Sequence, residues 1–244
     1  MKVVIIGLHG PAFSGKDSAA NLLRCAARND VAVIEGRFAE PVYQMIRTRL
    51  PSAYSGMSKA EKEKGRRELG GLSVRQLALA IAEGSRKFDK NVWANIWQAS
   101  LTRQLQQLKE DGHSRVLVLV PDLRMEHERD AILRAVSKDR DLEVIHQILH
   151  IRPVGSESVD NPCPVTEAGL QVLDGEIIVT NDHSMGLKGF TSGLLGGLLQ
   201  DKHISNHFFE LFESSRPLGE VANMAEKLAE KNRDYWRHQA RLVA

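Results

Sequence analysis

The sequence predicts an α/β protein built on an open, mostly parallel five-stranded sheet with helices on both faces. Short, continuous, β-branched runs such as residues 116–120 (VLVLV) suit strands buried on both sides. Helical segments separate those runs, and strand–helix alternation makes neighbouring strands parallel. A glycine-rich turn follows the first apolar run directly, at the sheet edge where such folds bind ligands. The 244 residues suit one domain (1–244) with inserted elements: substrate-binding helices over roughly 37–110, a lid over 152–170 and a helical extension over 201–244.

The first strand is the apolar run at residues 3–6, and it leads into Gly10-x-x-x-x-Gly15-Lys16. SAANLLRCAAR then supplies a helix, completing the order strand, phosphate loop, helix that a nucleoside-triphosphate site requires. The glycines let the backbone wrap a phosphate with successive N–H groups pointing inward. Lys16 adds a positive charge, and the helix presents its N-terminus to the anion. A plain glycine turn is the simpler alternative. After Lys16 the usual pattern has Ser or Thr for Mg²⁺; here Asp17 comes first and the hydroxyl of Ser18 second.

VAVIE (residues 31–35) reads as the second strand, and FAEPVYQMIRTRL as a helix with Pro41 in its first turn. Residues 51–71 are polar and charged, an excursion or an exposed helix. Ser73 caps a helix to about Gly84, and Asp89 can cap another to about Leu108. After the strand at 116–120, Pro121-Asp122-Leu123-Arg124 forms a turn, followed by a helix to about Val136. EVIHQILHI and EIIVT are the last two strands, with a proline-containing loop at 153–168 between them. Leu218, Val221, Ala225, Leu228 and Ala229 mark an amphipathic terminal helix.

Ligands in such sheets sit beyond the carboxyl ends of the strands. That places the loop at 10–16, the segment at Arg37 and Phe38, the Asp122–Arg124 turn and Asn181-Asp182 in one crevice. Arg75, Arg86, Arg124 and Arg152 are placed to grip phosphate through two donors each. Asp122 could hold Mg²⁺ through water, orient Arg124, bind an acceptor hydroxyl, or simply cap the helix after Met125. Trp93 and Trp97 suit the core better than a base-stacking platform. His203 and His207 lack the further ligands a zinc site needs. Glu61, Lys62, Lys64, Arg66 and Arg67 read as a solvated face or a lid.

Composition narrows the function classes. Apolar and charged fractions of 42% and 26% are those of a soluble globular protein, and a formal charge of +2 gives no case for a nucleic-acid polymer as partner. Cys25 and Cys163 make no disulfide framework and fit a reducing cytoplasm. No apolar run approaches the ~18 residues of a membrane span, and polar residues break the first one too soon for a signal peptide.

SGKDS, FAEP, SVRQLALAIAEGSRKFDKNVW, VPDLRMEHE, HIRP with the later Glu167, and EIIVTND together resemble the deoxynucleoside monophosphate kinases of tailed bacteriophages and prophages. The resemblance spans about residues 1–187 and implies the P-loop NTPase fold and transfer of phosphate from ATP, with Mg²⁺, to a deoxynucleoside monophosphate (dNMP). It implies that Gly10, Ser14, Gly15, Lys16, Asp17, Ser18 and Asn181 hold ATP and Mg²⁺, with Arg152 closing on ATP. Phe38, Arg75, Arg86 and Trp93 would line the monophosphate site, and Lys16, Arg124 and Asp122 would serve transfer. The chain departs from the family pattern at Ile81-Ala82 (commonly Gly-Thr), at Tyr43 (often lysine), and at Pro162-Cys163-Pro164, where the lid lacks the family's histidine. A kinase for another phosphorylated metabolite and a nucleotide-binding protein without turnover are the alternatives; a homodimer is compatible with either. Animal phosphomevalonate kinases, for instance, look similar around the Gly-Lys-Asp loop.

Overall fold

A computed structural model describes residues 1–49, 59–135, 141–154, 170–201, 204–213 and 216–243. Its strands are β1 (Lys2–His9), β2 (Ala32–Glu35), β3 (Arg115–Leu123), β4 (Glu143–Pro153) and β5 (Ile177–Asn181). They form one sheet in the order β2-β3-β1-β4-β5, with every neighbouring pair parallel. The central strand β1 is hydrogen-bonded on both edges, which explains its unbroken burial from Val3 to Leu8. Among the described residues no helix is long and apolar enough to cross a membrane.

Alternation along the strands sends successive side chains to opposite faces. Val4, Ile6 and Leu8 enter one core with α1 (Lys16–Ala26), α7 (Gly186–Gln200), α8 (Ser205–Leu211) and the start of α9 (Leu218–Val243). Val3 and Ile5 enter the other with α5 (Val92–Glu110) and α6 (Glu126–Leu133). A third cluster joins α2 (Glu40–Arg49), α4 (Val74–Arg86) and Trp93 at the start of α5. A short α3 (Lys59–Glu63) and a 3-10 turn (Arg67–Leu69) lead into α4.

One departure from expectation has a physical cause. The strand expected to end at Val120 continues through Leu123, so Pro121 and Asp122 belong to β3 rather than to a turn. Proline is tolerated there because β2 ends at Glu35, opposite Leu119. Pro121, two residues on, faces the side where no strand remains, so its missing N–H leaves no ladder bond unmade. α7 is helical despite the glycines of GLKGFTSGLLGGLLQ, and buries Phe190, Thr191, Leu194, Leu195 and Leu198. The C-terminal segment is pinned to the end of α1 by an antiparallel bridge, Ala27 to Phe212, and by Arg216, which donates to the Cys25 carbonyl at 2.5 Å.

Ser73 caps α4 as expected, in a reciprocal box: its Oγ accepts from Gln76 N (3.1 Å) while Gln76 Oε1 accepts from Ser73 N (2.8 Å). Because Ser73 is buried, removing the hydroxyl leaves a donor without a solvent substitute. Ser73→Ala is expected to cost about 1–2 kcal/mol and Ser73→Thr to restore most of it, as read by urea unfolding. An alanine variant as stable as the parent would remove this cap from the stabilising contacts.

Candidate active site

The carboxyl ends of β1, β2, β3 and β5 open into one cleft of about 1250 Å³. Gly15, Lys16, Asp17, Ser18, Phe38, Arg75, Arg86, Trp93, Asp122, Arg124 and Asn181 all line it. Gly10 and the buried Ser14 sit within the loop rather than on the cleft wall. Arg152 lies exposed near the end of β4, outside the lining. The expected lid falls mostly at 155–169, with Pro162, Cys163, Pro164 and Glu167, outside the described residues, as does His203. His207 pairs with Lys2 (3.2 Å), and no metal-binding cluster occurs among the described residues.

The phosphate loop is held by contacts that exclude side chains at two positions. At Gly10 (φ +154°) a Cβ would stand 2.4 Å from the Ile151 carbonyl oxygen. At Gly15 (φ +101°) a Cβ would stand 2.5 Å from Asn181 Nδ2, the group that donates to the Ser14 carbonyl at 2.9 Å. Gly15 is also the N-cap of α1, so the left-handed residue and the helix start coincide. Lys16 Nζ donates to the Gly10 and Pro11 carbonyls, each at 2.5 Å, and so arches across its own loop. Phe13 at the tip is left-handed (φ +62°) and largely exposed, a costly backbone for a residue with a Cβ.

Carboxylates hold the cleft's cations. Arg37 donates to Asp17 (2.8 Å) and to Glu35, which also accepts from Arg24 (2.9 Å). Arg75 donates to Glu63 (2.8 Å), and Arg86 faces Glu128 at 3.6 Å with its buried Nε lacking a partner among the described residues. Where the resembling family often has lysine, Tyr43 is present, and Lys62 Nζ lies 5.1 Å above its ring. The charged run at 61–67 is therefore split: Glu61, Lys64 and Arg67 are exposed, while Lys62 and Glu63 line the cleft.

Asp122 does not cap the helix that follows it. Its carboxylate accepts from Phe38 N (3.0 Å) and Ala39 N (2.9 Å), fastening the start of α2 to the end of β3. Glu128 performs the predicted cap, its Oε2 accepting from Arg124 N (2.9 Å) and Met125 N (3.1 Å). Burial pushes the Asp122 carboxyl up, against the pull of Arg37 and the two amides. Burial, with Asp122 next in size, pushes Glu128 up to about 7. Phe38 and Trp93 are both almost fully buried, Phe38 packed 4.7 Å from Trp97 and Trp93 donating to the Ala82 carbonyl (3.1 Å). Both form part of the cleft wall, and Trp97 belongs to the core.

Sequence reasoning flagged the segment at Arg37 but gave the side chain no role; its position two residues past β2 was the available signal. Lys62 and Glu63 were hidden in a charge run, although Glu63 lies within reach of Arg75 only through the fold. Leu187, Phe190 and Ala229 line the side of the cleft next to α1, and nothing in their residue types announced it.

The raised pKa of Glu128 has a stability consequence with a definite sign. Between its ordinary value of 4.5 and about 7 the folded protein keeps a proton that the unfolded chain releases. The contribution is therefore complete below the lower value and lost as pH rises through the upper one. Relative to Glu128→Gln, the parent should lose roughly 1–3 kcal/mol of unfolding free energy between about pH 5 and about pH 8. A parent–variant difference that stays flat over that interval would mean Glu128 is not held protonated.

Residues 71–188 match the family model for deoxynucleotide monophosphate kinase. The chain is also 30% identical over 115 residues to the deoxynucleotide monophosphate kinase of Enterobacteria phage T4, an alignment covering 46% of this chain and 41% of that protein. The chain thus spans about two fifths of that relative's length. The matched segment runs from the approach to α4 through β5, and it carries Arg75, Arg86, Trp93, Asp122, Arg124 and Asn181. Across it, this chain is similar to the deoxynucleotide monophosphate kinases.

Proposed function

We propose that this protein transfers the terminal phosphoryl group of ATP to a deoxynucleoside monophosphate, giving ADP and the diphosphate. The observation that carries the reading is a convergence. The phosphate loop at 10–18 lies outside the segment matched to the kinase family, yet it opens into the same cleft as the acceptor-side arginines inside that segment.

Phosphoryl transfer needs positioning and neutralised charge more than covalent chemistry. The loop amides and the N-terminus of α1 receive the donor's phosphates, and Lys16 exchanges the Gly10 and Pro11 carbonyls for phosphate oxygens. Asp17, with an exposed carboxylate, and Ser18 beside it supply the hard oxygen donors that Mg²⁺ takes, and they would hold it at the donor phosphates. Bound there, Mg²⁺ neutralises charge on the donor's phosphate oxygens. Arg75 and Arg86 bind the acceptor phosphate, leaving Glu63 and Glu128. Arg124, which also lines the cleft, takes up charge on the transferring group. An acceptor phosphate oxygen then attacks the γ-phosphorus in line, and ADP leaves. The small net charge suits a monomeric nucleotide rather than a polymer, and the reducing cytoplasm is the expected compartment.

Incubation with ATP, Mg²⁺ and each dNMP in turn should yield a diphosphate from at least one, and Lys16→Ala should abolish the product. ATP binding without transfer to any of the four would overturn the kinase assignment. Arg124→Ala should lower kcat by about 10³-fold, as removing an arginine from a transferring phosphate does. A loss confined to KM would instead make Arg124 a uniform binding group.

A further inference from the structure

Behind the phosphate loop runs a partly buried polar chain with no role in the transfer steps above. His9 closes β1 directly before Gly10, and its register partner in β4 is His150. Their Nδ1 atoms are 3.0 Å apart. Leu170 N donates to His9 Nε2 at 3.1 Å, and His150 Nε2 meets Glu176 Oε2 at 2.8 Å. Glu176 also accepts from Leu173 N (2.8 Å) and lies 3.5 Å from Arg129, which donates to the Gln171 carbonyl (2.8 Å).

Only one proton arrangement satisfies this chain. A backbone N–H can only donate, so His9 Nε2 must be bare and the His9 proton must sit on Nδ1. His9 Nδ1 then donates to His150 Nδ1, which must also be bare, and His150 carries its proton on Nε2, pointing at the Glu176 carboxylate. Both rings are neutral in this order or the chain breaks at His9. The surroundings enforce it. Burial first, then His150 on β4, Lys16 on α1, Arg129 on α6 and Arg124 before α6, hold His9 down at about 4.

We propose that His9 and His150 are positioning residues: a proton-ordered bridge that fixes the first turn of the phosphate loop to the segment 170–176. The bridge ties the loop that receives the donor phosphates to a stretch whose other anchors, Arg129 and Glu176, lie on α6 and before β5. Any displacement of residues 170–176 is then felt at Gly10, and the reverse. The proposal rests on the donor role given to the loop, and its first test does not.

Nitrogen-15 spectra of the full chain at about pH 7 should show His9 protonated on Nδ1 and His150 on Nε2, both neutral. Any other pair of tautomers, or a charged ring, overturns the bridge whether or not the protein is a kinase. His9→Phe keeps ring volume and loses both hydrogen bonds; His9→Gln keeps one donor and one acceptor. His9→Phe should weaken ATP binding or kcat by about tenfold or more, as small misplacements at a reacting centre do, and His9→Gln should recover most of that loss. Equal losses in two folded variants, or a folded His9→Phe with parental ATP affinity and kcat, would reduce the pair to packing. Should His9→Phe fail to fold, the tautomers and His9→Gln decide. If the parent binds no ATP while the tautomers are as stated, the kinase reading fails and the bridge survives.

Discussion

The close approach of the phosphate loop to the ends of β4 and β5 is the constraint on which the site depends. Gly10 faces the Ile151 carbonyl and Gly15 faces the Asn181 amide at distances no side chain could share. Asn181 in turn holds the Ser14 carbonyl, so the loop is set from outside as well as by its own turns. The strand order makes this possible. With β1 flanked by β3 and β4, everything leaving the carboxyl ends of the strands meets above β1. A sheet of another order would put Asn181 and Asp122 out of reach of the loop.

Within that frame the cleft stores its positive charge on its own carboxylates. Four arginines are paired this way: Arg37 with Asp17 and Glu35, Arg75 with Glu63, Arg86 with Glu128, and Arg47 with Glu40. An incoming anion would have to displace these carboxylates to reach the guanidinium groups. The pairs also keep half-buried guanidinium groups solvated by protein in the meantime. Glu128 shows the limit of the device. It lies so deep, and so near Asp122, that it holds a proton to about pH 7 and then serves partly as a neutral cap.

Much of the fold was legible in the sequence because its strands are apolar on both faces and its first turn is glycine-marked. All five strands lie where short β-branched runs placed them, and the Ser73 cap came from residue type alone. What escaped was set by tertiary packing. A proline usually ends a strand, and only the early stop of β2 shows why Pro121 does not. At the site, Asp122 was found but its partners were not, because Phe38 and Ala39 lie 84 and 83 residues away in sequence. Spacing can name the residue that leaves a strand end, but it cannot say which amide waits there.

The departures from the kinase pattern at Tyr43, Ile81 and Ala82 fall in the one cluster that joins α2, α4 and Trp93. Tyr43 takes a place where lysine is common, yet the cleft does not lose the cation, because Lys62 reaches over the Tyr43 ring from α3. A positive charge delivered by a separate short helix differs in one respect from a charge fixed on α2: its position follows α3. Burial lowers the pKa of Lys62, and the nearby Arg37 and Arg47 lower it further, so an arriving phosphate would favour its charged form. The cleft thereby carries a cation on α3, while the loop at 10–16 is fastened by Asn181 and by the strand ends.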